Sequence, residues 1–219
     1  MLTTNYILND ITPLTLKNSV SDAKKMFQNS IFSHALIVEE NHYIGLLSEA
    51  DLSSLEDNKA SLKDVRYLFQ SFFTFNDIGW LDLLHKFAVN DCNILPILNK
   101  EKKYCGYFDL SDVLHYFSNT PFLQEESTTL IISKNKNEYA LSEIAQIIES
   151  NNAKLFGLFL SASNGNNTEI TIKLYSENIN DVIHSFRRYN YSIIKGIKED
   201  EYLDDLKERS DYFQKYLNI

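Results

Sequence analysis

Apolar and polar residues alternate along this chain in two different rhythms, and the first of them is repeated. In "SVSDAKKMFQNS" the apolar positions Val20, Ala23 and Phe27 recur at helical spacing, and in "GWLDLLHKFAVN" Trp80, Leu83, Leu84 and Phe87 do the same. Each helix is followed by a short apolar strand, a polar turn and a second strand ending at glycine, "HALIVEENHYIG" and "ILPILNKEKKYCG". The strands then pass into "GLLSEADL" and "GYFDLSDV", where Gly45 answers Gly106 and Asp51 answers Asp112. Each copy thus reads helix, strand, strand, helix. The segment Ser54 to Ser71, with Leu62, Val65, Leu68 and Phe69 at helix-like spacing, is the connection. A segment this short presents an apolar sheet face that only its neighbour can cover, which predicts a compact pair with pseudo-twofold symmetry and clefts between the copies.

After Pro121 and "LQEESTT" the rhythm changes to strand "TLIIS", helix "ALSEIAQIIES", strands "KLFGLFLSAS" and "TEITIKLY", helix "NINDVIHSFRRYN" and strand "YSIIKGI". This is the βαββαβ order of ferredoxin-like folds. The turn "NGNN" at Asn164 to Asn167 supplies residues tolerant of positive φ, as a tight hairpin needs. The tail "DEYLDDLKERSDYFQKYLNI" predicts a final helix with Leu203, Leu206, Phe213 and Leu217 on one stripe.

Composition narrows the function classes. The 219 residues are 44% hydrophobic and carry 21 basic against 30 acidic side chains, a net charge of -9 that disfavours nucleic acid and anionic lipid as partners. No apolar run has the length of a membrane helix, and "MLTTNYILND" lacks the basic start and apolar core of a signal peptide, so a cytoplasmic protein is expected. Cys92 and Cys105 stand alone and read as reduced, buried thiols. His34, His42, His85, His115 and His184 are scattered, no metal-ligand spacing occurs, and the nucleophile elbow, P-loop, dinucleotide fingerprint and HExxH motif are all missing. The expectation is a protein that is not an enzyme and has neither catalytic nor metal-binding residues.

The stretch "GLLSEADL" has two readings. Ser48 as N-cap and Asp51 at N3 form a capping box that satisfies amides left open in the first helical turn. Alternatively the same pair serves a ligand. A carboxylate accepts from two vicinal hydroxyls, and a hydroxyl beside a helix N-terminus donates to a phosphate.

The repeat resembles the tandem cystathionine-beta-synthase (CBS) domains that pair into a Bateman module. The resemblance rests on "TPLTL" before the first helix, "HALIV" and "ILPIL" as central strands, and the G-x-x-[ST]-x-x-D pattern met by Gly45, Ser48 and Asp51. With the βαββαβ segment it is similar to the CBS plus ACT arrangement of acetoin-utilisation-type regulatory proteins. The expected fold class is mixed α+β (α/β): tandem CBS domains over about residues 1–120, copy one about 1–57 and copy two about 58–120, then an ACT-like domain over 126–198 and a C-terminal helix over 199–219.

The resemblance implies a cleft for an adenosine-containing ligand such as AMP, ATP or S-adenosylmethionine, with no cofactor required. Asp51 would hold the ribose hydroxyls and Ser48 a phosphate, Thr15 would face the same cleft, and Leu14, Leu36 and Ile37 would surround the base. In copy two Asp112 keeps the aspartate position, while Asp109 stands where Ser or Thr is expected. Asp109 caps a helix as well as Ser does. Against a phosphate it has the wrong sign: like charges about 4 Å apart repel by roughly 4 kcal/mol at an effective dielectric near 20. The second cleft therefore suits a neutral nucleoside or nothing. In the ACT-like half, "KNEYAL" puts Glu138 and Tyr139 where amino-acid-binding relatives carry Pro and Gly, which favours an assembly role over an amino-acid site. These readings combine as a regulatory sensor acting through a homodimer, with a ligand-free CBS-ACT scaffold as the alternative.

Overall fold

The computed structural model describes residues 3–195. They fall into two compact units that divide at Ser118 and Asn119. The first holds the repeat. Copy one contributes α1 (Val20–Gln28), β1 (His34–Glu39), β2 (His42–Ser48) and α2 (Glu49–Ser53). Copy two contributes β3 (Thr74–Phe75), α3 (Trp80–Val89), β4 (Ile94–Leu98), β5 (Tyr104–Asp109) and α4 (Leu110–Ser118).

The copies agree down to their irregularities. Both strand pairs are antiparallel, and each carries a bulge at the same place, between Ile37 and Val38 opposite Gly45 and between Ile97 and Leu98 opposite Gly106. Each first strand also gains a parallel neighbour, Leu14 beside Ile37 and Thr74 beside Ile97. The outer edges are closed by exchange. Gln70, from the chain leading into copy two, pairs with Leu46 of β2, and Leu8, from the chain leading into copy one, pairs with Tyr107 of β5. The exchange explains the recurring glycines: a Cβ on Gly106 would stand 2.4 Å from the Leu8 carbonyl oxygen, and one on Gly45 3.0 Å from that of Gln70.

Strand alternation sends side chains to two cores. Ala35, Ile37 and Leu47 meet Val20, Ala23, Phe27 and Leu52 on the helix side of copy one. Leu36, Val38 and Leu46 point the other way and meet Leu98 and Tyr104 of copy two. Each fully buried Leu or Ile stabilises the pair by about 1.5–3 kcal/mol, so the shared face holds the copies together.

The connection differs from its helix-like spacing. It contains a single 3-10 turn at Arg66–Leu68, because its amides bond backward: Leu62 N–H donates to Asn18 O and Lys63 N–H to Leu16 O. Leu62 and Val65 still reach the core of copy one. α2 is short for a local reason. The Ser53 and Ser54 hydroxyls donate to Glu49 O and Asp51 O, and such competing bonds suit a helix end.

The second unit contains α5 (Pro121–Gln124), β6 (Thr128–Asn135), α6 (Leu141–Ser150), β7 (Lys154–Asn164), β8 (Asn167–Tyr175), α7 (Ile179–Arg188) and β9 (Ser192–Lys195). Its sheet order is β7-β8-β6-β9 with every pair antiparallel, the arrangement that a βαββαβ chain gives when its two halves interleave. Gly165 turns the β7–β8 hairpin at φ 62°. Ile132, Ile170, Ile172, Ile144, Val182 and Phe186 fill the space between sheet and helices. The expected helix over 199–219 lies outside the described residues. No helix among the described residues is long and apolar enough to cross a membrane.

Candidate functional site

Three S-x-x-D pairs, Ser19/Asp22, Ser48/Asp51 and Ser61/Asp64, are joined by hydrogen bonds between serine and aspartate, and the three behave differently. At Ser19 and Asp22 the capping box is complete: Asp22 N–H donates to Ser19 Oγ at 3.2 Å, and Ser19 N–H returns a bond to Asp22 Oδ2 at 2.9 Å. At Ser61 and Asp64 the serine amide and hydroxyl both donate to Asp64 Oδ2, at 3.2 and 2.7 Å. Both carboxyls are held below the usual carboxylate range, Asp22 first by the Ser19 amide and Asp64 first by the Ser61 hydroxyl.

Ser48 and Asp51 make only half of that arrangement. Asp51 N–H donates to Ser48 Oγ at 3.0 Å, which caps α2, and Ser48 Oγ–H donates to Asp51 Oδ2 at 2.6 Å. The bond from the serine amide is not made, since Ser48 also ends β2 opposite His34. Asp51 Oδ2 instead accepts from Gln70 Nε2 at 3.3 Å, a partner nineteen residues away. Capping alone does not require that carboxylate contact.

His34 and Gln70 complete the cluster. His34 is only 4% exposed, packs edge-on against Phe72 at 5.4 Å and places Nδ1 2.8 Å from Ser33 Oγ. Burial lowers the His34 pKa, while hydrogen bonding to Gln70 and the charges of Asp51 and Asp91 oppose that shift. Ser33 is tied in turn to copy two, its N–H donating to Asn93 Oδ1 at 2.7 Å and its Oγ accepting from Asn93 N–H at 3.0 Å. Ser33 thus links His34 to Asn93 of copy two, while Gln70 links Asp51 to the chain that leads into copy two.

The other expected residues are placed elsewhere. Thr15 turns both its N–H and its hydroxyl to Asn18 Oδ1, at 2.8 and 3.0 Å. Leu14 packs on the helix-side core with Ile37, whereas Leu36 lies on the opposite face of β1 in the shared core. Leu36 and Ile37 thus do not line one surface. Neither Ser48 nor Asp51 lines any of the five described cavities. A cavity of about 680 Å³ lies instead between α3 and Ser71–Phe75, bordered by Phe73, Phe75, Asp82, His85 and Lys86. His34 and Gln70 carried no local signal, because Asp51 reaches them only through the folded chain.

Copy two has different chemistry at the equivalent place. Asp109 Oδ1 accepts from the Ser111 amide and hydroxyl at 2.7 and 2.8 Å, starting α4. Asp112 is raised above the usual carboxylate range, first by burial and then by the nearby Asp109 charge. Asp10 accepts from Tyr107 OH at 2.8 Å. Three carboxylates occupy the region where copy one has a serine, one carboxylate, an amide and an imidazole. The outer grooves differ too. Between α1 and α2 a groove of about 310 Å³ is bordered by Lys24, Gln28, Glu49 and Ser53, whereas the groove of about 410 Å³ between α3 and α4 has Leu84, Ala88, Leu110 and Leu114 at the matching positions.

The cysteines split. Cys92 is buried, which pushes its thiol up to about 12, whereas Cys105 is exposed because it occupies the bulge of β5 and turns outward. In the second unit Tyr139 packs against the core while Glu138 stays exposed. Among the described residues no group of three His, Cys, Asp or Glu is placed to hold a metal ion.

Residues 6–57 match the family model of the CBS domain. A CBS domain pair/ACT domain protein from Thermotoga maritima is similar in structure, with 18% identity and a TM-score of 0.47 over 53% of this chain and 96% of that one. The CBS domains of a transcriptional regulator from Streptococcus pneumoniae give 12% identity and 0.46 over 52% and 98%. CBSX2 in complex with AMP gives 14% and 0.46 over 53% and 95%. At these identities and TM-scores the likenesses do not define what this chain binds. A search of curated proteins finds no similar sequence.

Proposed function

We propose that this chain is a non-catalytic cytoplasmic sensor that binds an adenosine-containing ligand at Ser48 and Asp51 and passes the change on through a homodimer. The observation that carries the reading is the Asp51 carboxylate. Unlike Asp22 and Asp64 it is not closed by its serine's amide, and it faces a polar cluster at the boundary between the copies. The CBS domain match at residues 6–57 includes this motif. Asp51 would accept from the ribose hydroxyls and Ser48 would donate to a phosphate. No cofactor is required. A ligand that prefers one tilt of the copies shifts the population toward it, and one that binds both tilts equally shifts nothing. The βαββαβ unit is read as an ACT-like assembly element, since Tyr139, standing where amino-acid-binding relatives carry Gly, is a bulky side chain packed against the core.

The apolar α3/α4 groove supports self-association. Leu81 and Leu114 beside it are 72% and 55% exposed. The test is a thermal-shift titration with adenosine, AMP, ADP, ATP, NAD and S-adenosylmethionine on the parent and on Asp51→Ala. At about 100 times the dissociation constant a true ligand stabilises the fold by roughly 2.7 kcal/mol, and Asp51→Ala removes that gain. A second reading, a ligand-free scaffold, is favoured by the bonds Asp51 already makes to Ser48 and Gln70. It predicts a dimer whose small-angle scattering ignores every nucleotide.

A further inference from the structure

The geometry points to Gln70 as an internal competitor for the Asp51 carboxylate, a residue that sets how tightly the first site holds its ligand and couples its release to copy two. The inference rests on the function proposed above. Gln70 Nε2 donates to Asp51 Oδ2 at 3.3 Å, and that oxygen is one of the two with which Asp51 would meet a diol. The bond is long for N–H···O and links a neutral amide to a carboxylate, so a hydroxyl at closer range displaces it.

The position of Gln70 is set by the fold rather than by its own side chain. Its backbone exchanges two hydrogen bonds of 2.8 Å with Leu46, and Gly45 leaves the space in which that crossing chain runs. The amide is therefore presented to Asp51 by a fixed backbone. Two residues beyond Gln70 the chain enters the shared core through Phe72 and Phe73 and then forms β3 of copy two. A ligand that takes Asp51 releases the Gln70 side chain at the base of that segment. Ligand binding in copy one thereby acts on the chain that begins copy two.

Removing the competitor should tighten binding. Isothermal titration calorimetry with AMP and with adenosine compares the full-length parent, Gln70→Ala, Gln70→Met and Asp51→Ala. Gln70→Met keeps the side chain's length while deleting the donor, and the thermal midpoint of each unliganded variant reports its folding. Both Gln70 variants should bind roughly tenfold more tightly than the parent, the factor expected when one hydrogen bond to a charged group no longer has to be broken. Asp51→Ala should not bind. Binding by the Gln70 variants alone would support the competitor as well. If the parent binds through Asp51 and folded Gln70 variants bind equally or more weakly, the competitor is overturned while the sensor reading stands. If no variant binds either compound, the nucleotide reading itself fails and the competitor fails with it.

Discussion

Copy one and copy two share a backbone plan to the level of a matching bulge, yet the two sites made by that plan are chemically unlike. In copy one a single carboxylate faces a serine hydroxyl and a glutamine amide, and the imidazole of His34 is buried. In copy two Asp109, Asp112 and Asp10 gather near Tyr107, and Asp112 is pushed toward its protonated form. The outer grooves diverge in the same way, polar in the first copy and apolar in the second. The difference teaches that the fold preserves what the backbone needs, a glycine at the crossing and a cap at the helix start. Side chains not tied to those tasks are free to diverge, and the proposed function gives the two copies separate roles, ligand recognition in one and self-association in the other.

Three experiments break or sharpen this contrast. The largest effect is expected at the grooves: Leu114→Glu puts an unpaired carboxylate into the apolar groove of each subunit, at roughly 3 kcal/mol apiece, and should give a monomer by light scattering. Ser53→Glu, at the matching polar position, should leave the proposed dimer intact; equal behaviour of the two variants would remove the groove from the proposed interface. The next effect separates the crossings. Gly106→Ala forces a Cβ against the Leu8 carbonyl and should cost about 3 kcal/mol in urea unfolding, while Gly45→Ala, with its nearest contact at 3.0 Å, should cost about 1–2 kcal/mol.

The smallest effect is in acid. Asp22 and Asp64 have lowered folded pKa values, so their contribution is present above the ordinary carboxylate value of 3.8 and is lost as pH falls through the folded values. Asp112 has the opposite sign: stability falls as pH rises from 3.8 through its raised folded value. Asp112→Asn should therefore stabilise the chain at neutral pH, by less than about 1 kcal/mol because water screens the site, and should not do so below pH 3.8. A Tm gain that persists unchanged in acid would show that the Asp112 charge is not its cause.

The repeat was legible because its signals are local: apolar spacing in α1 and α3, paired strands, a glycine and an aspartate at fixed separation. The βαββαβ order was legible for the same reason, and the Gly165 hairpin with it. The roles of Gly45 and Gly106 were not, since the atoms that exclude a side chain there belong to Gln70 and Leu8, far along the chain. The same distance hid Gln70 and His34 from the site. The apolar character of Leu36 and Ile37 suggests a shared pocket wall, but adjacent strand residues face opposite ways, and the bulge that follows them has no sequence mark. The same unmarked irregularity in β5 accounts for the exposure of Cys105, whose sequence context suggests burial.

The exchanged edges also govern how the first unit acquires its structure. Copy two finishes its sheet with Leu8, a segment synthesised before any part of copy two exists, and copy one finishes with Gln70 from beyond its own second helix. Both closures span long stretches of chain, so their entropy must be met before the pairing is rewarded, and folding is expected to be cooperative rather than sequential. A chain cut between the copies would leave two fragments, each with an unpaired strand edge exposed to association with its neighbours. The exchange therefore predicts that the repeat folds as a single unit and that either copy expressed alone loses the edge partner the other supplies.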